Sequence, residues 1–141
     1  MTGSMDEIEA IKRLKARYCR TMDTKDWEGM RSLFADDVTI DTTGSGGTVV
    51  TGADEFLGFL REAIGEAVTV HHCHTPEIEI VSPTEATGLW AMEDMLRWPD
   101  GTEMHGYGHY HETYRKVVQT WCITTSRLTR LRMDFGGGRV P

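Results

Sequence analysis

The run Leu89-Trp90-Ala91-Met92-Glu93-Asp94-Met95-Leu96, closed by Pro99-Asp100-Gly101, reads as a strand entering a hairpin. Side chains on a strand alternate between its faces, so Trp90, Met92, Asp94 and Leu96 share one of them. Pro-Asp-Gly is strong hairpin-turn chemistry. A partner strand therefore follows over roughly 102–117. Working outward, further strands are expected over roughly 68–81, 85–98 and 120–134. No Gly or Pro separates the last two, so that hairpin carries the weaker turn signal. An antiparallel meander fills the second half of the chain.

The first half has helical periodicity. Ile8, Ile11, Leu14, Tyr18 and Met22 recur at spacings of three and four, which predicts a helix over 5–22. Ser4 is placed to cap it, with Glu7 completing a capping box. Asp23-Thr24-Lys25-Asp26 breaks the pattern. A short helix is predicted from Trp27 to about Phe34, and Val38-Thr39-Ile40 reads as a first strand. Thr42-Thr43-Gly44-Ser45-Gly46-Gly47 is a flexible turn. It is not a phosphate cradle, since no Gly-Lys-Ser/Thr follows and no strand–loop–helix surrounds it. Phe56, Leu57, Phe59, Leu60 and Ile64 mark a third helix. Helices first and an antiparallel sheet after them predict an α+β fold, helices on one face of the sheet.

The length of 141 residues fits one domain spanning 1–141 with a core large enough to hold a cavity. Residues 1–4 are set aside as a tail, natural or tag-derived, and 135–141 as a flexible tail. The net charge of -7 argues against nucleic acid and anionic membrane as partners. No run approaches the ~20 apolar residues of a membrane span, and no apolar signal segment opens the chain. Cys19, Cys73 and Cys122 are odd in number and scattered, so a disulfide framework is not expected and a cytoplasmic location fits.

Several segments occur in an order that resembles the SnoaL-like branch of the nuclear-transport-factor-2-like superfamily. They are Arg17-Tyr18-Cys19-Arg20-Thr21-Met22-Asp23-Thr24-Lys25-Asp26-Trp27, Leu33-Phe34-Ala35-Asp36-Asp37-Val38, and His71-His72-Cys73-His74-Thr75-Pro76-Glu77-Ile78-Glu79-Ile80. Tyr110-His111-Glu112-Thr113-Tyr114-Arg115 and Trp121-Cys122-Ile123 with Arg127-Leu128-Thr129-Arg130-Leu131 follow. The resemblance covers essentially the whole chain. It implies a cone-shaped α+β barrel, three N-terminal helices packed on a curved, mostly antiparallel sheet. It also implies a homodimer paired through the outer sheet face. It does not fix the reaction, because this fold hosts dehydratases, isomerases, cyclases, hydrolases and plain binders.

In dehydratase-type members an Asp after the first helix orients a His on the facing strand. Asp23 and His71 match those positions. Such a carboxylate fixes the imidazole tautomer, and the imidazole can then remove a proton beside a carbonyl. The spacing to Ile78 favours His71 as the inward residue, and a register slip of one gives the role to His72. Tyr18 matches a Tyr of the bile-acid dehydratases and would hold a developing oxyanion. Asp94 falls where those enzymes place an acid. On an inner face it would be a carboxylate in an apolar pocket. Against scytalone dehydratase, Leu96 replaces a second His, Gly108 and Tyr110 replace a Ser and an Asn, and Met22 replaces a Tyr, so scytalone dehydration itself is not expected. A C-terminal Arg of the family falls near Arg127, although ungapped counting to the dehydrochlorinase lands on Ser126.

The expected pocket walls are Trp27, Phe56, Leu60, Trp90, Met92 and Tyr110, with Trp121, suited to an apolar polycyclic, polyketide or steroid-like ligand. His72/His74 and His109/His111 form His-x-His pairs, but nothing fixes a common meeting point. No metal or cofactor is expected. No Gly-x-Ser-x-Gly elbow supports a serine hydrolase. Two functions stand: a cofactor-independent dehydratase or isomerase using Asp23 and His71, and a non-catalytic binding or dimerisation module of the same fold.

Overall fold

A computed structural model describes residues 3–137. Helix α1 spans Ser4–Asp23, α2 Trp27–Arg31 and α3 Ala53–Ile64. The strands are β1 (Phe34–Asp41), β2 (Val49–Thr51), β3 (Val68–Ser82), β4 (Glu85–Arg97), β5 (Thr102–Val117) and β6 (Thr120–Gly137). They form one six-stranded sheet in the order β2-β1-β6-β5-β4-β3. All neighbours are antiparallel except β1 and β6, which run parallel. The sheet curves around the helices without closing into a barrel, its edges being β2 and β3. Ser4 begins α1 and Phe135–Gly137 ends β6. The remaining tail residues, 1, 2 and 138–141, lie outside the described residues.

The apolar stripe of α1 works as its spacing dictates, and Ile11, Leu14, Tyr18 and Met22 are buried. The capping box does not form. Gly3 occupies the cap position without a side-chain bond, and Glu7 instead accepts from Lys116 Nζ at 2.8 Å and Trp121 Nε1 at 2.5 Å. Helix α2 is only five residues long, and the chain is already strand at Phe34. Asp26 caps it, its Oδ1 accepting from Gly29 N at 3.0 Å. The glycine segment after β1 is a short 3₁₀ turn packed on β6, where a side chain at Gly44 would strike the Leu128 carbonyl. It leads into β2, which the sequence pattern did not announce.

The long strands match the alternation closely. At the β4–β5 turn Gly101 takes φ of 88°, the left-handed region that glycine enters without steric cost. The β5–β6 turn has no glycine because Val118 and Gln119 themselves adopt φ of 47° and 67°. Two-residue hairpins of this twist need positive φ at both positions, which β-branched and long side chains adopt reluctantly.

Bulges in β3 and β6 adjust the phase near the site. In β3, His74 pairs with Ala91 but Glu77 with Leu89, so one extra residue sits at Thr75–Pro76, with Thr75 at φ of 44°. In β6, extra residues fall at Thr124 and Leu131. Each extra residue swaps the faces presented by everything beyond it.

Candidate functional site

The helices and the concave face enclose an apolar cavity of about 260 Å³. Phe56 and Leu60 of α3, Tyr18 and Met22 of α1, and Tyr110 and Leu128 of the sheet form much of its wall. An engineered apolar cavity of about 150 Å³ takes benzene, so this one, open on one side, has room for at least one ring of a ligand. Four expected wall residues lie elsewhere. Trp27 is half-buried beside Arg61, 5.7 Å from its guanidinium carbon. Trp90 donates to the Tyr114 hydroxyl at 2.9 Å, away from the cavity. Met92 lies beneath Arg130, with its sulfur 3.5 Å from Nη1. Trp121 is tied to Glu7.

Asp23 is the last residue of α1, and β3 passes directly over it. Its Oδ1 accepts from Thr69 Oγ1 at 2.9 Å, and its Oδ2 accepts from the His71 backbone N–H at 2.7 Å. His71 Nδ1 lies 2.7 Å from Oδ1. A carboxylate accepts, so Nδ1 carries a proton, and in the neutral imidazole the lone pair is on Nε2. His71, not His72, faces inward. Lys25 Nζ donates to Thr69 Oγ1 at 2.8 Å, completing a chain that fixes the carboxylate. Burial holds the Lys25 ammonium below the ordinary lysine range, and the nearby Asp23 charge opposes that shift.

Asp94 stands opposite His71 in the β3–β4 register and is 3% exposed. It is not a lone carboxylate in an apolar pocket. Arg130 grips it with both terminal nitrogens, Nη1 to Oδ1 at 2.7 Å and Nη2 to Oδ2 at 2.9 Å. Arg130 Nε donates to Ser45 Oγ at 3.0 Å, so the glycine turn has a structural task in the site. Gly106 pairs with Asp94 across β4–β5, and a Cβ there would collide with both the guanidinium and the carboxylate. The missing side chain lets Arg130 cross from β6. His71 Nε2 is 3.7 Å from Asp94 Oδ2, beyond hydrogen-bond distance.

Arg127 does not join this group. It is exposed on the opposite face of β6, while Ser126 is buried against the cavity. Arg130 is the residue of this group that pattern reading missed.

Behind Tyr18 lies a second buried group. Lys15 Nζ donates to Glu112 Oε2 at 2.8 Å, with both side chains essentially sealed from solvent. Ser126 Oγ and the Tyr114 hydroxyl also donate to Glu112, at 2.7 and 2.8 Å. The ammonium sits 3.6 and 3.7 Å from the ring centroids of Tyr18 and Tyr110. Burial, the largest single effect, pulls Lys15 down, but the Glu112 charge together with the neighbouring Tyr18, Cys73 and Cys19 outweighs it, and the ammonium is held above its ordinary range. Burial pushes the Tyr18 and Tyr110 phenols well up, so both remain hydrogen-bond donors. Among the described residues no cluster suited to hold a metal ion is present, and the His-x-His pairs do not converge. No helix among them is long and apolar enough to cross a membrane.

The sequence matches the family described as SnoaL-like domain across residues 3–127. A protein of Gibberella zeae provisionally named cyclase FGR4 is 28% identical, the match covering 93% of this chain and 95% of that one. A crystal structure from Novosphingobium aromaticivorans, provisionally named a scytalone dehydratase, superposes with a TM-score of 0.86 at 26% identity, covering 97% and 92% of the two chains. The hexachlorocyclohexane dehydrochlorinase LinA-type3 of Novosphingobium barchaimii shares the fold with a TM-score of 0.83 at 15% identity, covering 98% and 97%.

Proposed function

The chain belongs to the SnoaL-like domain family, and we propose that it is an acid–base lyase or isomerase acting on a small, largely apolar hydroxyketone or unsaturated ketone. The observation that carries this reading is the His71 imidazole, oriented by Asp23 through Nδ1, with Nε2 turned toward an apolar cavity. His71 Nε2 takes the proton next to the substrate carbonyl. The electron pair moves onto the carbonyl oxygen, where the Tyr18 hydroxyl donates to the enolate. The imidazolium then returns its proton. Delivered to a departing β-hydroxyl it gives water and an enone, and delivered to a distant carbon it gives the shifted double bond.

Two carboxylates flank the imidazole, Asp23 at Nδ1 and Asp94 3.7 Å from Nε2, and their charges favour the imidazolium formed in this step. The guanidinium occupies both Asp94 oxygens, so Asp94 acts as an electrostatic and positioning group and not as the proton donor to the leaving hydroxyl. The relatives' names, a cyclase and a dehydratase, are consistent with proton chemistry on small carbon skeletons.

The test is turnover of a panel of one- and two-ring β-hydroxyketones and β,γ-unsaturated ketones, followed by enone absorbance. His71→Gln and Asp23→Asn should each lower kcat by roughly 10²- to 10⁴-fold, the range for a positioned acid–base group. Full activity in His71→Gln would overturn the mechanism. Binding without turnover in the unaltered protein would favour the non-catalytic module.

A further inference from the structure

The interface that forms the dyad also joins two thiols. Cys19 on α1 and Cys73 on β3 are 54 positions apart, yet their sulfurs lie 3.4 Å from each other. Cys19 is one helical turn before Asp23, and Cys73 shares the inner face of β3 with His71. Both are half-buried. A surface recess bordered by Lys12, Ala16 and Pro76 opens onto both, so a small reagent reaches them from outside. Cys122 is elsewhere, its Sγ directed at the Arg115 carbonyl.

We propose that Cys19 and Cys73 are a peroxide-oxidisable dithiol that forms an internal disulfide, stapling α1 to β3 beside the dyad. A hydroperoxide oxidises one thiolate to a sulfenic acid. With hydrogen peroxide this step releases one water. The second sulfur attacks the sulfenic sulfur, the S–S bond forms, and the hydroxyl leaves as a second water. Two thiols and one peroxide become one disulfide and two waters. A bonded pair sits at about 2.0 Å, so the sulfurs close about 1.4 Å. Hydrogen bonding to Cys73 and the Lys15 charge hold the Cys19 thiol below its ordinary range despite burial, favouring it as the first to react. Cys73, pushed up by that contact and by burial, is the resolving thiol. The modification does not depend on what the dyad catalyses.

The experiment treats the purified full chain with hydrogen peroxide, blocks remaining thiols with N-ethylmaleimide, and reads the intact mass and a non-reducing peptide map. The expected product is a monomeric chain lighter by about 2 Da before alkylation, carrying one maleimide at Cys122. Its map contains a Cys19–Cys73 linked peptide, and its Tm is higher by several degrees, reversed by dithiothreitol. Cys122→Ser should behave alike, whereas Cys19→Ser and Cys73→Ser should form no internal link. Three alkylatable thiols after treatment, or a linked peptide containing Cys122, would overturn the proposal. The map uses the unaltered chain, so the result does not rest on how the variants fold.

Discussion

The buried Lys15–Glu112 pair offers a sharp test of how this core is held. The two charges are 2.8 Å apart. At an effective dielectric of about 20 that separation is worth about 6 kcal/mol of attraction. Most of it offsets the cost of removing both ions from water, so the intact pair contributes little net. Glu112→Gln removes only the anion and strands an ammonium whose remaining partners are the Tyr18 and Tyr110 faces. Losing one partner of a buried pair costs about 3–5 kcal/mol. The aromatic faces hold the expected loss to the lower end, about 3 kcal/mol, or about 10 °C in Tm for a chain of this size. Lys15→Met combined with Glu112→Gln removes the stranded charge, so the double variant should be more stable than Glu112→Gln alone by about 2 kcal/mol. The pH signature has a fixed sign. In the unaltered protein the Lys15 pKa is raised on folding, so its contribution is fully present below the ordinary lysine value of 10.5 and is lost as pH rises above it. In Glu112→Gln the stranded ammonium loses its proton more readily, so the deficit shrinks as pH rises toward that value. Urea unfolding at several pH values measures both effects. A loss under about 1 kcal/mol for Glu112→Gln, or strict additivity in the double variant, would refute the reasoning.

Two further outcomes follow from single contacts. Gly106→Ala places a methyl against the buried Asp94–Arg130 pair, and the displacement should lower kcat on the true substrate by about 10²-fold and also lower the urea midpoint; unchanged kcat would show that the pair does not position the site. Bonds from Lys116 and Trp121 lower the Glu7 pKa, so its contribution is present above the ordinary value of 4.5 and lost as pH falls below it. Thermal melts should therefore show a smaller acid-induced fall in Tm for Glu7→Gln than for the unaltered chain.

Much of this architecture was legible because its signals are local. The three-and-four spacing of Ile11, Leu14, Tyr18 and Met22 needs nothing outside α1 to be read, and the alternation along 85–97 needs nothing outside β4. What the pattern could not carry was long-range. Glu7 carries the chemistry of a capping box, but Lys116 and Trp121, more than a hundred positions away, claim its carboxylate. Strand β2 is three residues long and exists because β1 offers it an edge. Trp27 and Trp90 look like pocket residues by type, yet a large aromatic can be satisfied by a guanidinium or a buried hydroxyl.

The bulges explain how Asp23, His71 and Asp94 could be named from the sequence while Arg130 could not. Starting from inward Trp121 and Ile123, an unbroken strand would turn residues 125, 127 and 129 inward, bringing Arg127 to the cavity. The extra residue at Thr124 reverses the phase, so Ser126, Leu128 and Arg130 face in and Arg127 faces out. His71 and Ile78, an odd number of positions apart, would likewise fall on opposite faces were it not for the extra residue at Thr75–Pro76. A bulge has no side-chain chemistry that marks it at Thr124, so a phase argument along β6 has no internal warning. The signal that does exist lies in another strand. Gly106 is a glycine at an inward position of a regular strand, and an inward glycine marks a place where something else must pass. Here the passing group is a guanidinium on its way to Asp94. An unpaired inward carboxylate on one strand beside an inward glycine on the next asks for a cation from the strand beyond. Arg130 meets that requirement and Arg127 does not.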